Sequence, residues 1–556
     1  HEAEAEGGAI YARNLATLVM TDSHFTGNQT VIGNDGDDGG ALYTEFVASL
    51  KITNSSFINN YSYSSGGAVF LESAGNVEIT QTIFRDNDAK DADGGAIDIE
   101  TGVQSIAISD SIFQMNTAGD DGGAIWVNGP DLVVSNSTFQ TNSAGSGSMG
   151  GGGIWADDNL RVYSSLFESN YGVDYGGAIY NDVGDVTVIG STFLDNQAPG
   201  EGGGAIFNDE GSLTIESSAF IDNYGKAGGA VNAGQNATIE NSTFTGNDAA
   251  TQGGGAFING ANGLNTMSGS SFTENGDDTA PTLGGGLYFW DNGPLDIANS
   301  AFIGNKAEQG GGIYIAANGD YDDTISYTTI VNNTATGGTP PSSGGGIFAD
   351  DTLTLLNSIV SGNSATLFFD ARLNSTYGDI QNNLFTSAAT TNNSGANAAF
   401  GAPLLGTLGN NGGPLIGDDS LHYLPTAIPA STSPAVGIAN PTLTPSITTT
   451  QIGTARAGNV AGSMNAGASP TPPTPTPTFP PSAPLNVTGT AGDASATITW
   501  TAPASAGSFP ITDYQAVLSP GGASCLIQAP ALSCTITGLT NGTTYTATAR
   551  ALNGAG

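Results

Sequence analysis

The chain has 556 residues, 82 of them Gly and only 11% charged, with 51 acidic against 10 basic side chains for a net charge of −41. Nucleic acid and anionic membrane surfaces are bound through Lys and Arg footprints, so this composition disfavours both as partners. No run reaches the ~18 apolar residues of a spanning helix and no charged-then-apolar leader follows His1; the chain reads as a fragment or processed form with no transmembrane segment.

Thirteen Gly-Gly pairs begin at residues 7, 39, 66, 94, 122, 151, 176, 203, 228, 254, 284, 310 and 344, a mean period of about 28 residues. Self-similarity at that period is the signature of a solenoid. The fourth position of each unit is apolar, from Ile10, Leu42, Val69, Ile97 and Ile125 through Phe257 and Leu287 to Ile347. Strand side chains alternate with period two, so this column faces a core. A second strand follows with paired apolar residues such as Leu50 and Ile52, Leu132 and Val134, and Leu295 and Ile297. Each unit then carries Phe, from Phe25 and Phe57 to Phe302, replaced by Ile330 and Val360, with Ser or Thr two before it in most units and Asn three after, from Asn28 to Asn363.

One such unit cannot bury its own apolar face, whereas stacked units share a continuous core. The predicted fold is therefore all-β, a right-handed parallel β-helix of about 13 coils, with aliphatic and Phe stacks inside and Asn ladders at a turn. At a strand spacing of ~4.8 Å the coils make a monomeric rod of roughly 60 Å. Leucine-rich repeats are excluded by the absence of a Leu-x-x-Leu-x-Leu line. We place the repeats at 1–363, terminal coils and a cap at 364–469, a Pro/Thr-rich linker at 470–482 and a small β-sandwich at 483–556 that stops before its last strand. Cys525 and Cys534, the two cysteines of the chain, are expected to form a local disulfide across a hairpin.

The paired tetrapeptides Gly-Gly-Ala-(Ile/Leu/Val) and Phe-x-x-Asn, as in Phe57-Ile-Asn-Asn60 and Phe139-Gln-Thr-Asn142, resemble the repeat of the chlamydial polymorphic membrane proteins and related bacterial surface β-helix proteins. The resemblance implies an exported, surface-exposed, adhesin-like protein, although the autotransporter barrel of that family is not found in these residues. The region 403–468 is weakly similar to a module that follows such helices in other secreted bacterial proteins. Pro484-Leu-Asn-Val, Trp500, Pro510-Ile-Thr-Asp-Tyr514 and Gly538-Leu-Thr-Asn-Gly-Thr-Thr-Tyr545 resemble a bacterial fibronectin type III domain. That likeness implies a buried core Trp500, a corner Tyr545 and an extracellular or cell-surface location.

The fifth position of the first strand should point outward. It holds Tyr11, Tyr43, Phe70, Trp126, Trp155, Tyr180, Phe207, Tyr288, Tyr314 and Phe348, a row that would stack sugar rings or anchor a protein partner unless the loop before each Gly-Gly folds back over it. Acidic loops precede the Gly-Gly pairs, and Asp93 and Asp121 fall at equivalent places on neighbouring coils. Bridged carboxylates there would make a calcium site, and solvated ones an acidic surface. No other cofactor is indicated.

An enzyme is the rival class, because pectin lyases and polygalacturonases share the β-helix. The seven scattered bases of the repeats argue against uronate lyase chemistry. Asp157-Asp158 and Asp350-Asp351 could supply a glycosidase pair but fit turns as well, and His24 and His422 lack triad partners, so no catalytic residue is assigned. Longer loops at 29–38, 276–283 and 334–343 are where a ligand site would be grafted. The expectation is a secreted or surface-attached protein binding an extracellular glycan or protein ligand, with a polysaccharide-active enzyme or an inert stalk as alternatives.

Overall fold

In the computed structural model, the described residues are most of 7–386 (apart from 31–36, 146–148, 262, 278–281, 291, 318–320, 338–343 and 374–378), short strands between 399 and 465, and most of 484–552. Two units result, His1–Pro473 and Thr474–Gly556. Among the described residues all regular structure is β.

The first unit is a parallel solenoid. The first strand of each coil pairs with its equivalent on the next, so Ile97 lies beside Val69 and Ile125, and Ile154 beside Ile125 and Ile179. Second strands pair in the same way, Leu132 beside Ile106 and Leu160. Both ladders belong to one 27-stranded sheet, because Leu42–Thr53 is a single strand running through both positions. The Phe strands form a separate 15-stranded sheet. After each Asn a short strand such as Gln29–Thr30 or Asp88–Ala89 adds a further edge.

The interior is built from identical residues in line. Phe25 through Phe302 stack ring on ring at 4.4–4.9 Å between centroids and within about 11° of parallel. Burying each such side chain contributes roughly 1.5–3 kcal/mol. Beside them runs an Asn ladder: each Nδ2–H donates to the Oδ1 of the next coil's Asn at 2.8–3.0 Å, from Asn28 to Asn363. The second amide hydrogen goes backwards, as Asn142 to the Phe113 carbonyl, so buried amides that would be costly unpaired are satisfied. Ser and Thr two before Phe form a parallel line, with the Ser137 amide donating to Ser165 Oγ at 3.1 Å.

The Gly pairs have a geometric cause. Gly122 sits at φ +64°, and a Cβ on Gly123 would lie 2.3 Å from the Gly152 carbonyl oxygen, so the first position needs left-handed backbone and the second needs the next coil's main chain within van der Waals reach.

One column differs from the expectation. A unit that starts at Gly254 puts Phe257 in the core; instead Ala256 pairs with Val231 and Leu287, and Phe257 lies beside Asn232 and Tyr288. The run Gly253-Gly254-Gly255 admits both registers. Gly253, at φ +63°, takes the first-Gly role, and Phe257 moves to the outward column. The winding also outlasts the Gly-Gly signal: Ala371–Leu373, Ile380–Gln381 and Leu384–Phe385 pair with the final Gly-Gly coil, and Asp370 Oδ1 takes the place of the next Asn for Asn363.

The second unit has two three-stranded antiparallel sheets. Trp500 and Tyr514 pack in its core at 5.6 Å, and the Thr540 amide donates to the Tyr545 hydroxyl at 3.1 Å, the corner bond of an Ig-like sandwich. Cys525 and Cys534 are joined with Cα atoms 6.4 Å apart. Ser524–Gln528 and Ser533–Thr537, which carry them, belong to different sheets, so the bond ties the two sheets rather than crossing a hairpin as expected.

Candidate functional site

The fifth-position residues lie outside the core, since Ile97 and Ile99 or Ile125 and Val127 on either side face inward. They do not form an open platform. Only Tyr11, at 47%, is exposed; Tyr43, Phe70, Trp155, Tyr180, Tyr288 and Phe348 are buried and Trp126, Phe207 and Tyr314 half-buried. The rings are spent on one another in three stacks. Tyr11, Tyr43 and Phe70 stack at 5.2–5.3 Å, Trp126, Trp155, Tyr180 and Phe207 at 5.1–6.2 Å, and Phe257, Tyr288, Tyr314 and Phe348 at 4.7–5.3 Å. Tyr175, from the loop before a Gly-Gly pair, covers Phe207 edge-on at 4.7 Å. The covering loop weighed in the sequence is therefore present there.

Two polar residues separate the stacks, Asp98 and Asn232, and Arg372 ends the last one by lying 4.3 Å over the Phe348 ring. Two residues further along, at the seventh position, seven of the thirteen coils carry an acid, in a run of three, a second run of three and one at the end: Glu45, Glu72, Glu100, Asp157, Asp182, Asp209 and Asp350. The first of them, Glu45, takes Arg13 at 2.8 Å and the Tyr11 hydroxyl at 3.0 Å. The last, Asp350, takes Arg372 at 2.7 Å.

Between those ends, coils two to four open into a groove of about 470 Å³ lined by Tyr43 and Phe70 and by Asp38, Glu72 and Glu100. The Tyr43 hydroxyl donates to Glu72. Burial, then the Asp38 and Glu72 charges, push the Glu100 carboxyl up. Asp98 is 1% exposed; burial, then Glu100 and Asp93, hold its carboxyl well above the usual range against a hydrogen bond from Ser65. Its Oδ1 has no hydrogen-bond partner, a cost that an ordinary surface residue avoids. A contiguous apolar trough of about 360 Å³ runs on over Phe46, Val47 and Ala74, and Phe46 stands 57% exposed at its rim.

Sequence reasoning passed over Glu72, Asp98 and Glu100. The available signal was the seventh column, which is acidic on three successive coils, at Glu45, Glu72 and Glu100, once it is aligned behind the aromatic one.

The remaining candidates have local structural partners. Asp93 Oδ1 accepts the Asp121 amide at 2.9 Å, and Asp121 Oδ1 accepts those of Met149 and Gly150 at 2.9 and 2.7 Å. Burial pushes the Asp93 carboxyl up to about 6. Among the described residues, no three His, Cys, Asp or Glu side chains converge as a metal site. Asp158 and Asp351 accept the amides of Asn159 and Thr352, as turn residues do. His24 Nδ1 lies 2.8 Å from Ser56 Oγ. His422 lies in a short strand whose side chains fall outside the described residues, as do residues 31–36, 278–281 and 338–343 of the loops at 29–38, 276–283 and 334–343.

The sequence matches the right-handed β-helix region family over residues 110–244 and 176–394, together just over half of the chain; the chain belongs to that family. Residues 480–556 match the fibronectin type III domain. Comparison with curated proteins and with solved structures found no match. β-Helix and fibronectin type III domains are typical of extracellular proteins, and among the described residues no helix is long and apolar enough to cross a membrane.

Proposed function

We propose that this chain is a secreted or surface-attached bacterial protein whose solenoid presents a lateral binding face, acting as an adhesin-like module toward an extracellular glycan or protein ligand. One observation carries the reading: the inward columns repeat almost without change, while the outward fifth and seventh columns vary and open into a carboxylate-lined groove at coils two to four. A scaffold needs only the first property, whereas a concave site lined by Tyr43, Phe70, Glu72 and Glu100 is the kind of surface that receives a ligand. The resemblance of the repeat to chlamydial polymorphic membrane proteins supports the same reading. The fibronectin type III unit fits a spacer or attachment module of an exported protein.

The test is an array of glycans and extracellular-matrix proteins probed with the full chain, run beside a polysaccharide-degradation assay. Saturable binding without turnover is expected. Polymer cleavage would make it a carbohydrate-active enzyme, and no saturable ligand would leave an inert stalk.

A further inference from the structure

We propose that the apolar trough at coils two to four binds an uncharged sugar ring of a glycan chain, with Phe46 as the stacking surface. This rests on the lateral face being a binding surface and names the ligand class that it takes. Phe46 stands at the corner between the first and second strands of its coil, at φ +54° and 57% exposed. The register places Asn14, at φ +55°, at the same corner one coil earlier. Asn suits left-handed backbone through its short polar side chain, whereas a bulky aromatic residue there is an outlier. Packing within the chain does not offset that strain, because Phe46 lies outside the core cluster. Strained residues of this kind collect where a ligand is held.

The rest of the trough floor is small, Ala48, Ala74, Gly75 and Gly102, so a flat ring can reach the sheet beside Phe46. Phe46 also lines the adjoining groove, which adds Glu72 and Glu100. At about 360 and 470 Å³, each concavity has the volume of a small-molecule site, and together they suit at least two linked rings. Ionised carboxylates accept hydrogen bonds and donate none, so the ligand must bring donors to the rim as well as an apolar face to the floor. A pyranose has both, C–H groups on its ring faces and hydroxyls around its edge. Charge narrows the class, since Glu72 and Glu100 on a chain of net charge −41 repel uronate, sialate and sulfated sugars. An extended peptide is the weaker fit: Leu42–Thr53 is already paired on both sides, and its main chain offers no free edge for strand addition.

The experiment titrates the full chain with cellohexaose, laminarihexaose, mannohexaose and hexagalacturonate at physiological salt. At least one neutral hexasaccharide is expected to bind saturably, and hexagalacturonate at least tenfold more weakly. Phe46→Ser should cut the neutral affinity at least tenfold, and Phe46→Tyr, which keeps the ring, no more than threefold. Because Phe46 lies outside the core, both variants should melt with the parent. Ile112→Ser, at an exposed apolar position on the separate Phe sheet, is the matched control and should stay within twofold. The proposal is overturned by unchanged affinity in Phe46→Ser, by equal loss in Ile112→Ser, by hexagalacturonate binding as tightly as the neutral sugars, or by no neutral hexasaccharide binding. A matrix protein from the array that binds, and does so more weakly to Phe46→Ser, in the absence of glycan binding overturns the sugar assignment and leaves the lateral-face reading intact. If no arrayed ligand binds either, the lateral-face reading itself fails.

Discussion

The two aromatic ladders of the solenoid run side by side at the same coil spacing and behave differently. The inner one, Phe25 to Phe302, is unbroken and fully enclosed after its first member, and the Asn ladder beside it closes every amide. The outer one, Tyr11 to Phe348, is broken by Asp98 and Asn232 and ended by an arginine. An enclosed column admits one shape and no charge, because each coil's ring is the next coil's packing surface. A column with water or a loop on one side tolerates a polar residue wherever the neighbours can solvate or pair with it. Departures from the repeat therefore collect outside, and the groove sits at one of them.

Substitutions should separate the ladders by size of effect. Phe139→Ala removes a ring stacked at 4.7 and 4.6 Å on both sides, and we expect a loss of roughly 3–5 kcal/mol, read as the midpoint shift in chemical denaturation. Asn142→Ala removes the acceptor of the Asn116 main-chain and side-chain amides and the side-chain donor to the Phe113 carbonyl, and leaves Asn170 Oδ1 with only the main-chain amide of residue 142; a loss on the order of 2–4 kcal/mol follows. Trp155→Ala, in the outer column, should cost about 2–3 kcal/mol by lost burial. A melting curve unchanged by Trp155→Ala would mean that the outer stack is not a packing element, and would restore the open platform.

Most of the fold was legible because its causes are periodic. Ile, Phe and Asn recur at fixed offsets since parallel stacking demands like beside like, and the Gly pairs mark where coils approach within backbone contact. The register at Gly253 to Gly255 was not legible, because three glycines in a row carry no phase. Nor was the burial of the outer row. Alternation tells which side of a strand a residue faces, whereas cover comes from a loop such as that carrying Tyr175, whose path has no periodic signal. The groove was hidden for a related reason: Asp98 reads as an exception to one column and Glu72 and Glu100 as ordinary surface acids until the columns are set side by side.

An acid in the second-strand column makes the smallest and most specific contrast. Asp323 replaces the aliphatic residue of the second strand, beside Leu353; it is fully buried, Oδ1 accepts the Leu295 amide at 2.9 Å, and Oδ2 has no partner. Burial pushes its carboxyl up to about 7, against about 4 in an unfolded chain. The folded state therefore binds this proton more tightly than the unfolded one. Its stabilisation is complete below about pH 4 and is lost as pH rises toward 7, the reverse of a salt-bridged carboxylate. Asn265 fills the same column and accepts the Ala237 amide at 2.9 Å, so Asp323→Asn keeps the bond and removes the titration. The melting temperature of the parent should fall between pH 4 and pH 7 by a few degrees more than that of Asp323→Asn, with the two converging at the acid end. Parallel pH profiles would mean that Asp323 is already solvated, and the inner column would then be less closed than the Phe ladder implies.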